Sequence, residues 1–135
     1  ELYDRIISEG HQTGNHTHNH LNGWKTADQV YLDDIRLAAR KIQSVLFRPP
    51  YGRIRSRQVK KLNNYKMVMW DVLSGDFDLS ISKESCLQNV LNNTGSGSIV
   101  VFHDSEKAWD KLKYTLPQVL EHFSKKEYKF LPIPL

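Results

Sequence analysis

The run Ser98-Ile99-Val100-Val101-Phe102 constrains this chain more than any other feature. A strand that is apolar on both faces has both faces covered, which places it in a parallel sheet with helices on either side. Val45–Phe47, stopped by Pro49-Pro50, and Met67–Val72 are read as two further strands of this kind. Around them the period changes to that of helices. Leu2, Ile6 and Ile7 mark a helix face ending at Gly10, a residue suited to the left-handed turn after a helix. Gln12–Asn15 reads as a short extended piece. Thr26 with Gln29 predicts a capping-box start, and Leu32, Ile35, Ala39, Ile42 and Leu46 repeat behind it at helical spacing. Helices are also predicted over 56–62, from the Asp78–Ser82 lead-in through Leu91, and over 106–126, the last kinked or split at Pro117. Tyr128–Leu131 closes as a short strand.

The order is αβ, repeated about five times, which defines an α/β fold with a parallel sheet and outer helices. Nothing inside the chain looks like a linker or a repeat, so residues 1–135 are read as a single domain. A closed eightfold barrel takes about 250 residues, so a chain of 135 can form only part of one.

Composition removes several function classes. No apolar run approaches the ~20 residues of a membrane span. Cys86 is the only cysteine, which excludes an internal disulfide framework. The net charge is +4, with much of the excess in Arg53, Arg55, Arg57, Lys60 and Lys61. That run has no interleaved aromatics for base stacking and is read as a solvated helix face, not a nucleic-acid surface. Histidine is the anomaly: four of the six fall between positions 11 and 20.

Four segments carry groups suited to chemistry. In Gly14-Asn15-His16-Thr17-His18-Asn19-His20, His16 and His20 would face the same way on a helical turn and could chelate one Zn²⁺. Thr17 stands where a helical metalloprotease needs Glu, which argues against that class. Phe47-Arg48-Pro49-Pro50-Tyr51-Gly52 is a rigid turn after a strand, where α/β folds place active-site groups. Asp71 and Asp76, after the next strand, could each orient a histidine or cap a loop. His103, at the end of the Ser98–Phe102 run, suits general acid or base work. Each segment alone also has an ordinary structural reading.

Together and in this order they resemble the second to fifth motifs of the polysaccharide deacetylases, carbohydrate esterase family four, over essentially the whole chain. The resemblance implies a metal-dependent hydrolase that removes acetyl groups from an acetylated glycan, with an N-acetylglucosamine-type substrate favoured. His16 and His20 resemble the zinc imidazoles, and Tyr51 the residue whose amide helps form the oxyanion hole. Arg48 resembles the arginine that orients the catalytic base. His103 resembles the general acid, and Asp76 the carboxylate that tunes it by raising its pKa. Phe77 and Val101 stand where the family usually has Trp and Leu.

The family's first motif, Thr-Phe-Asp-Asp-Gly-Pro, which supplies the base and third zinc ligand, does not occur in these 135 residues. Asp33-Asp34 lies mid-helix and does not match it. The fold expected is therefore an incomplete, distorted (β/α) barrel missing its first strands and helix, an N-terminally truncated catalytic domain. Weak zinc binding, slow turnover and oligomerisation through an exposed sheet edge are expected with it. The resemblance favours the cell envelope or secretion. The rival expectation is a non-catalytic carbohydrate- or partner-binding remnant of the same fold.

Overall fold

The computed structural model describes residues 2–135 in two compact units: residues up to Met69 with Pro132–Leu135, and Trp70–Leu131. The first unit is organised by the helix α2, Asp28–Ala39 (α1 being Leu2–Ser8). Tyr31, Leu32, Ile35 and Ala38 recur along one face and are buried with Phe47 and Leu62, while Leu21, Ile54, Tyr65 and Met67 pack around them. Full burial of one such side chain is worth about 1.5–3 kcal/mol, so this face fixes where α2 lies. Strand β1, Leu46–Phe47, pairs in parallel with β2, Lys66–Met67. On its other side Asn15 bridges to Phe47: Asn15 N donates to Leu46 O at 2.8 Å, and Arg48 N to Asn15 O at 3.0 Å.

The short helix α3, Ser56–Val59, is tied to the start of α2. Fully buried Gln58 donates to the Gly23 carbonyl and to Asp28, and its own carbonyl accepts from Arg55 N. A Cβ on Gly23 would lie 2.5 Å from the Arg53 carbonyl oxygen. No side chain fits in that approach. Arg55 and Arg57 both pair with Asp28, so part of the basic run is neutralised within the fold. The capping box expected from Thr26 and Gln29 does not form. Thr26 donates to the Asn22 carbonyl, Gln29 reaches Asp33, and Ala27 occupies the cap.

In the second unit β3, Val72–Leu73, pairs in parallel with β4, Val100–Val101. Helices α4, Lys83–Asn93, and α5, Trp109–Lys125, bury Leu87, Val90, Val119 and Phe123 together. The Ser82 hydroxyl caps α4 by accepting from Ser85 N at 3.0 Å. Three expectations are corrected. Met67–Val72 is not one strand: β2 ends at Met67 and β3 begins at Val72 in the other sheet, with Asp71 bonded sideways to Ser98 and Ile99. Helix α5 runs unbroken through Pro117. Pro117 is exposed, and the buried face carrying Thr115, Val119 and Phe123 holds the turns on either side. Tyr128–Leu131 is not a strand, because Tyr128 is taken up by the end of α5. Glu127 is left-handed at φ 61°, Tyr128 N donates to Phe123 O and Glu127 N to Ser124 O, a Schellman closure.

Candidate metal and acid–base residues

The segment carrying His16 and His20 is an irregular loop, not the helical turn expected for it. Thr17 and His20 both have left-handed backbones, at φ 62° and 54°. For a β-branched residue this is a true outlier, and each such residue costs about 1–3 kcal/mol. Three side chains hold the loop against that cost. Buried Asn15 accepts from Thr17 N at 3.0 Å and donates to the Ile35 carbonyl at 2.9 Å. The Thr17 hydroxyl accepts from Leu21 N at 3.0 Å. Asp34, buried on α2, accepts from His18 N, from Asn19 N and from the Asn19 side chain. Burial pushes the Asp34 carboxyl up, but the bonds from Asn19, His18 and Thr17 outweigh it and leave it below the usual carboxylate range. The left-handed route still brings the two imidazoles together, with ring centroids 5.0 Å apart and planes at 68°.

The bridge between Asn15 and Phe47 sets the Arg48–Tyr51 turn beside this loop. His16 Nδ1 lies 2.5 Å from the Arg48 carbonyl oxygen. A carbonyl can only accept, so Nδ1 carries the proton and Nε2 the lone pair, the arrangement typical of a metal-binding histidine. Tyr51 is left-handed at φ 59°, and its ring meets His20 edge-on at 4.7 Å. The turn uses the amides of Gly52 and Arg53, bonded to the Pro49 and Pro50 carbonyls, and leaves the Tyr51 amide outside its ladder. The Arg48 guanidinium is half-buried, which lowers its pKa without discharging it. His16, His20, Arg48 and Tyr51 are thus neighbours within the first unit.

Asp76 and His103 are paired in the second unit. Asp76 is fully buried, and its carboxylate accepts from both His103 N at 2.6 Å and His103 Nδ1 at 2.7 Å. The double bond fixes the ring's position and tautomer, placing the lone pair on Nε2. Ser74 Oγ accepts from Asp76 N at 3.3 Å, and the Phe77 ring packs edge-on against His103 at 4.9 Å. Asp71, the other candidate carboxylate, binds Ser98 Oγ and Ile99 N and serves β3–β4 pairing. His11 is exposed and Cys86 is buried in the unit's interior, where burial raises its thiol pKa.

The donor chemistry at His16 and His20 fits a borderline transition metal such as Zn²⁺. Among the described residues, no set of three or more His, Cys, Asp or Glu side chains comes together to hold one. The residue that sequence reasoning passed over is Asp34. Its signal was present: Tyr31, Asp34, Ile35 and Ala38 fall on one helical face, which puts a carboxylate in an apolar row.

The two units define an α/β domain with a histidine pair on a rigid turn and a separate carboxylate-oriented histidine. Residues 1–70 match the family described as Polysaccharide deacetylase, and the chain belongs to that family, one of deacetylase hydrolases. It is 31% identical to a peptidoglycan-N-acetylglucosamine deacetylase of Bacillus cereus over 98% of its own length and 66% of the relative's. It is 30% identical to chitin deacetylase 2 of Saccharomyces cerevisiae, over 82% of this chain and 40% of that one. The chain therefore spans less than two thirds of these relatives. Among solved structures, a peptidoglycan N-acetylglucosamine deacetylase bound to a substituted N-oxidanyl-benzamide superposes with a TM-score of 0.79 at 29% identity. It covers 98% of this chain and 66% of that one. A pseudoenzyme of carbohydrate esterase family four from Bacillus anthracis shares the fold, with TM-score 0.77 at 22% identity over 96% and 47% of the two chains.

Proposed function

We propose that this chain carries the metal-binding and acid residues of a deacetylase acting on acetylated glycans, with N-acetylglucosamine units as the favoured substrate. The observation that supports it best is the His16–His20 pair, held at 5.0 Å with the His16 tautomer set by the Arg48 carbonyl. A divalent ion held by these imidazoles would supply Lewis acidity toward an acetyl carbonyl. Tyr51 N–H is the donor for the oxygen on which charge gathers, and a preorganised amide is strongest where charge develops. Arg48 orients the carboxylate that acts as base. Asp76 holds His103 with its Nδ1 proton inward, so that Nε2 delivers a proton to the departing amine. Without the Asp-Asp motif in these residues, the base and third ligand are not supplied, and zinc binding is weak and turnover slow.

Two measurements on the purified chain test this. Zinc titration followed by the ring resonances of His16 and His20 is expected to shift both together, and failure of either to move rejects the metal reading. Acetate release from an N-acetylated chito-oligomer is expected to be slow; ordinary turnover rejects the impairment. His103→Gln is expected to lower whatever release remains by about 10²–10⁴-fold. A second reading, a binding remnant without turnover, is supported by the lack of a three-ligand cluster among the described residues. Glycan binding with no acetate release would select it. Self-association through the apolar edge of the first unit is part of the proposal.

A further inference from the structure

We propose that Asp34 is a positioning residue for the two metal-binding imidazoles, acting through the backbone of the loop between them. This rests on the metal reading of His16 and His20. A loop that must place residues i and i+4 side by side without helical hydrogen bonds needs other partners for its amides. Here the amides of His18 and Asn19 both donate to Asp34 Oδ2, each at 2.9 Å, and the Asn19 side chain donates to Oδ1 at 2.5 Å. One carboxylate thus binds both residues midway between His16 and His20. Its two flanks are the left-handed residues Thr17 and His20, whose backbones would relax if the centre were released.

Asp34 is itself anchored. It lies on the buried face of α2 at 7% exposure, next to Ile35, whose carbonyl holds Asn15 at the start of the same loop. Two adjacent helix residues therefore grip the loop at its entry and its midpoint. Asp33 is the natural contrast: exposed, it bonds only to Gln29 and Arg36 on its own helix. Asp34 does not touch the metal in this account. It sets the separation of the rings, as outer partners of metal ligands do when their loss weakens binding about 10- to 100-fold.

The experiment compares zinc titrations of the wild-type chain, Asp34→Asn, Asn19→Ala and Asp33→Asn near neutral pH, read from the His16 and His20 ring resonances, with urea unfolding of each. Asn keeps the size of Asp34 but turns one acceptor into a donor facing an amide. Asp34→Asn is expected to stay folded and bind zinc about 10- to 100-fold more weakly, and Asp33→Asn to bind like wild type. Unchanged zinc affinity in Asp34→Asn, whatever happens to its unfolding midpoint, overturns the inference and leaves Asp34 a stability residue. Equal weakening in Asp33→Asn also overturns it, since general helix charge would then be the cause. If Asp34→Asn does not fold, exposed Asn19→Ala decides: up to about tenfold weaker binding supports the role, and none removes it. No zinc response in the wild type would instead reject the metal reading itself.

Discussion

Asp71 and Asp76 occupy the same stretch of chain, yet one serves the sheet and the other a histidine. Asp71 accepts from the Ser98 hydroxyl at 2.7 Å and from Ile99 N at 2.6 Å, and these bonds hold its carboxyl below the usual carboxylate range. In the unfolded chain an aspartate titrates near ~3.9. A carboxyl depressed in the folded state adds stability that is fully present above that value and is lost as pH falls through the folded one. The unfolding midpoints of wild type and Asp71→Asn are therefore expected to differ most from about pH 5 upward and to converge toward pH 2–3. A gap that stays constant across that range would show that the charge is not what Asp71 contributes. At this scale the reading from sequence grouped Asp71 with Asp76 because both follow a strand, and spacing alone cannot say which carboxylate turns inward. Asp34 was passed over for a related reason: a helical aspartate is usually solvated, and only its position in the buried row marked it otherwise.

Helix α5 shows which element features were legible and which were overridden. Its apolar face was readable from periodicity, but its end was not. Tyr128-Lys129-Phe130 alternates like a strand, and the structure uses Tyr128 as the closing residue of a Schellman motif, its ring 5.1 Å from Phe123. That motif requires a left-handed residue at Glu127, a position glycine normally fills. A left-handed L-residue costs about 1–2 kcal/mol, partly offset by the extra entropy glycine loses on folding, roughly 0.5–1 kcal/mol. Glu127→Gly is therefore expected to stabilise the protein by about 0.5–1 kcal/mol. Urea unfolding checks it, and an unchanged or lower midpoint counts against the closure. Pro117 and the Thr26–Gln29 pair were misread for the same underlying reason: local preference was outweighed by tertiary partners, the α4 face in one case and Asp28 with Gln58 in the other. The strands failed differently. Met67–Val72 is one apolar stretch in sequence, and pairing partners on two separate sheets divide it.

Across the whole chain, the αβ alternation predicted parallel pairing, and both sheets are parallel. What alternation could not give was the surface left open. In the first unit Ile7, Val45, Leu46 and Leu135 line one apolar depression beside β1. Leu135 is 77% exposed, Val45 50% and Ile7 45%. Covering one such side chain is worth about 1.5–3 kcal/mol, and a second copy of the chain offers the same depression for an isologous contact. Light scattering is expected to show a dimer or larger species at micromolar concentration. Ile7→Lys with Val45→Lys is expected to restore the monomer without loss of helical circular dichroism, because neither side chain is buried in the unit's core. Wild-type protein that stays monomeric throughout the micromolar range would mean that the depression is covered by something other than a second copy, or by nothing.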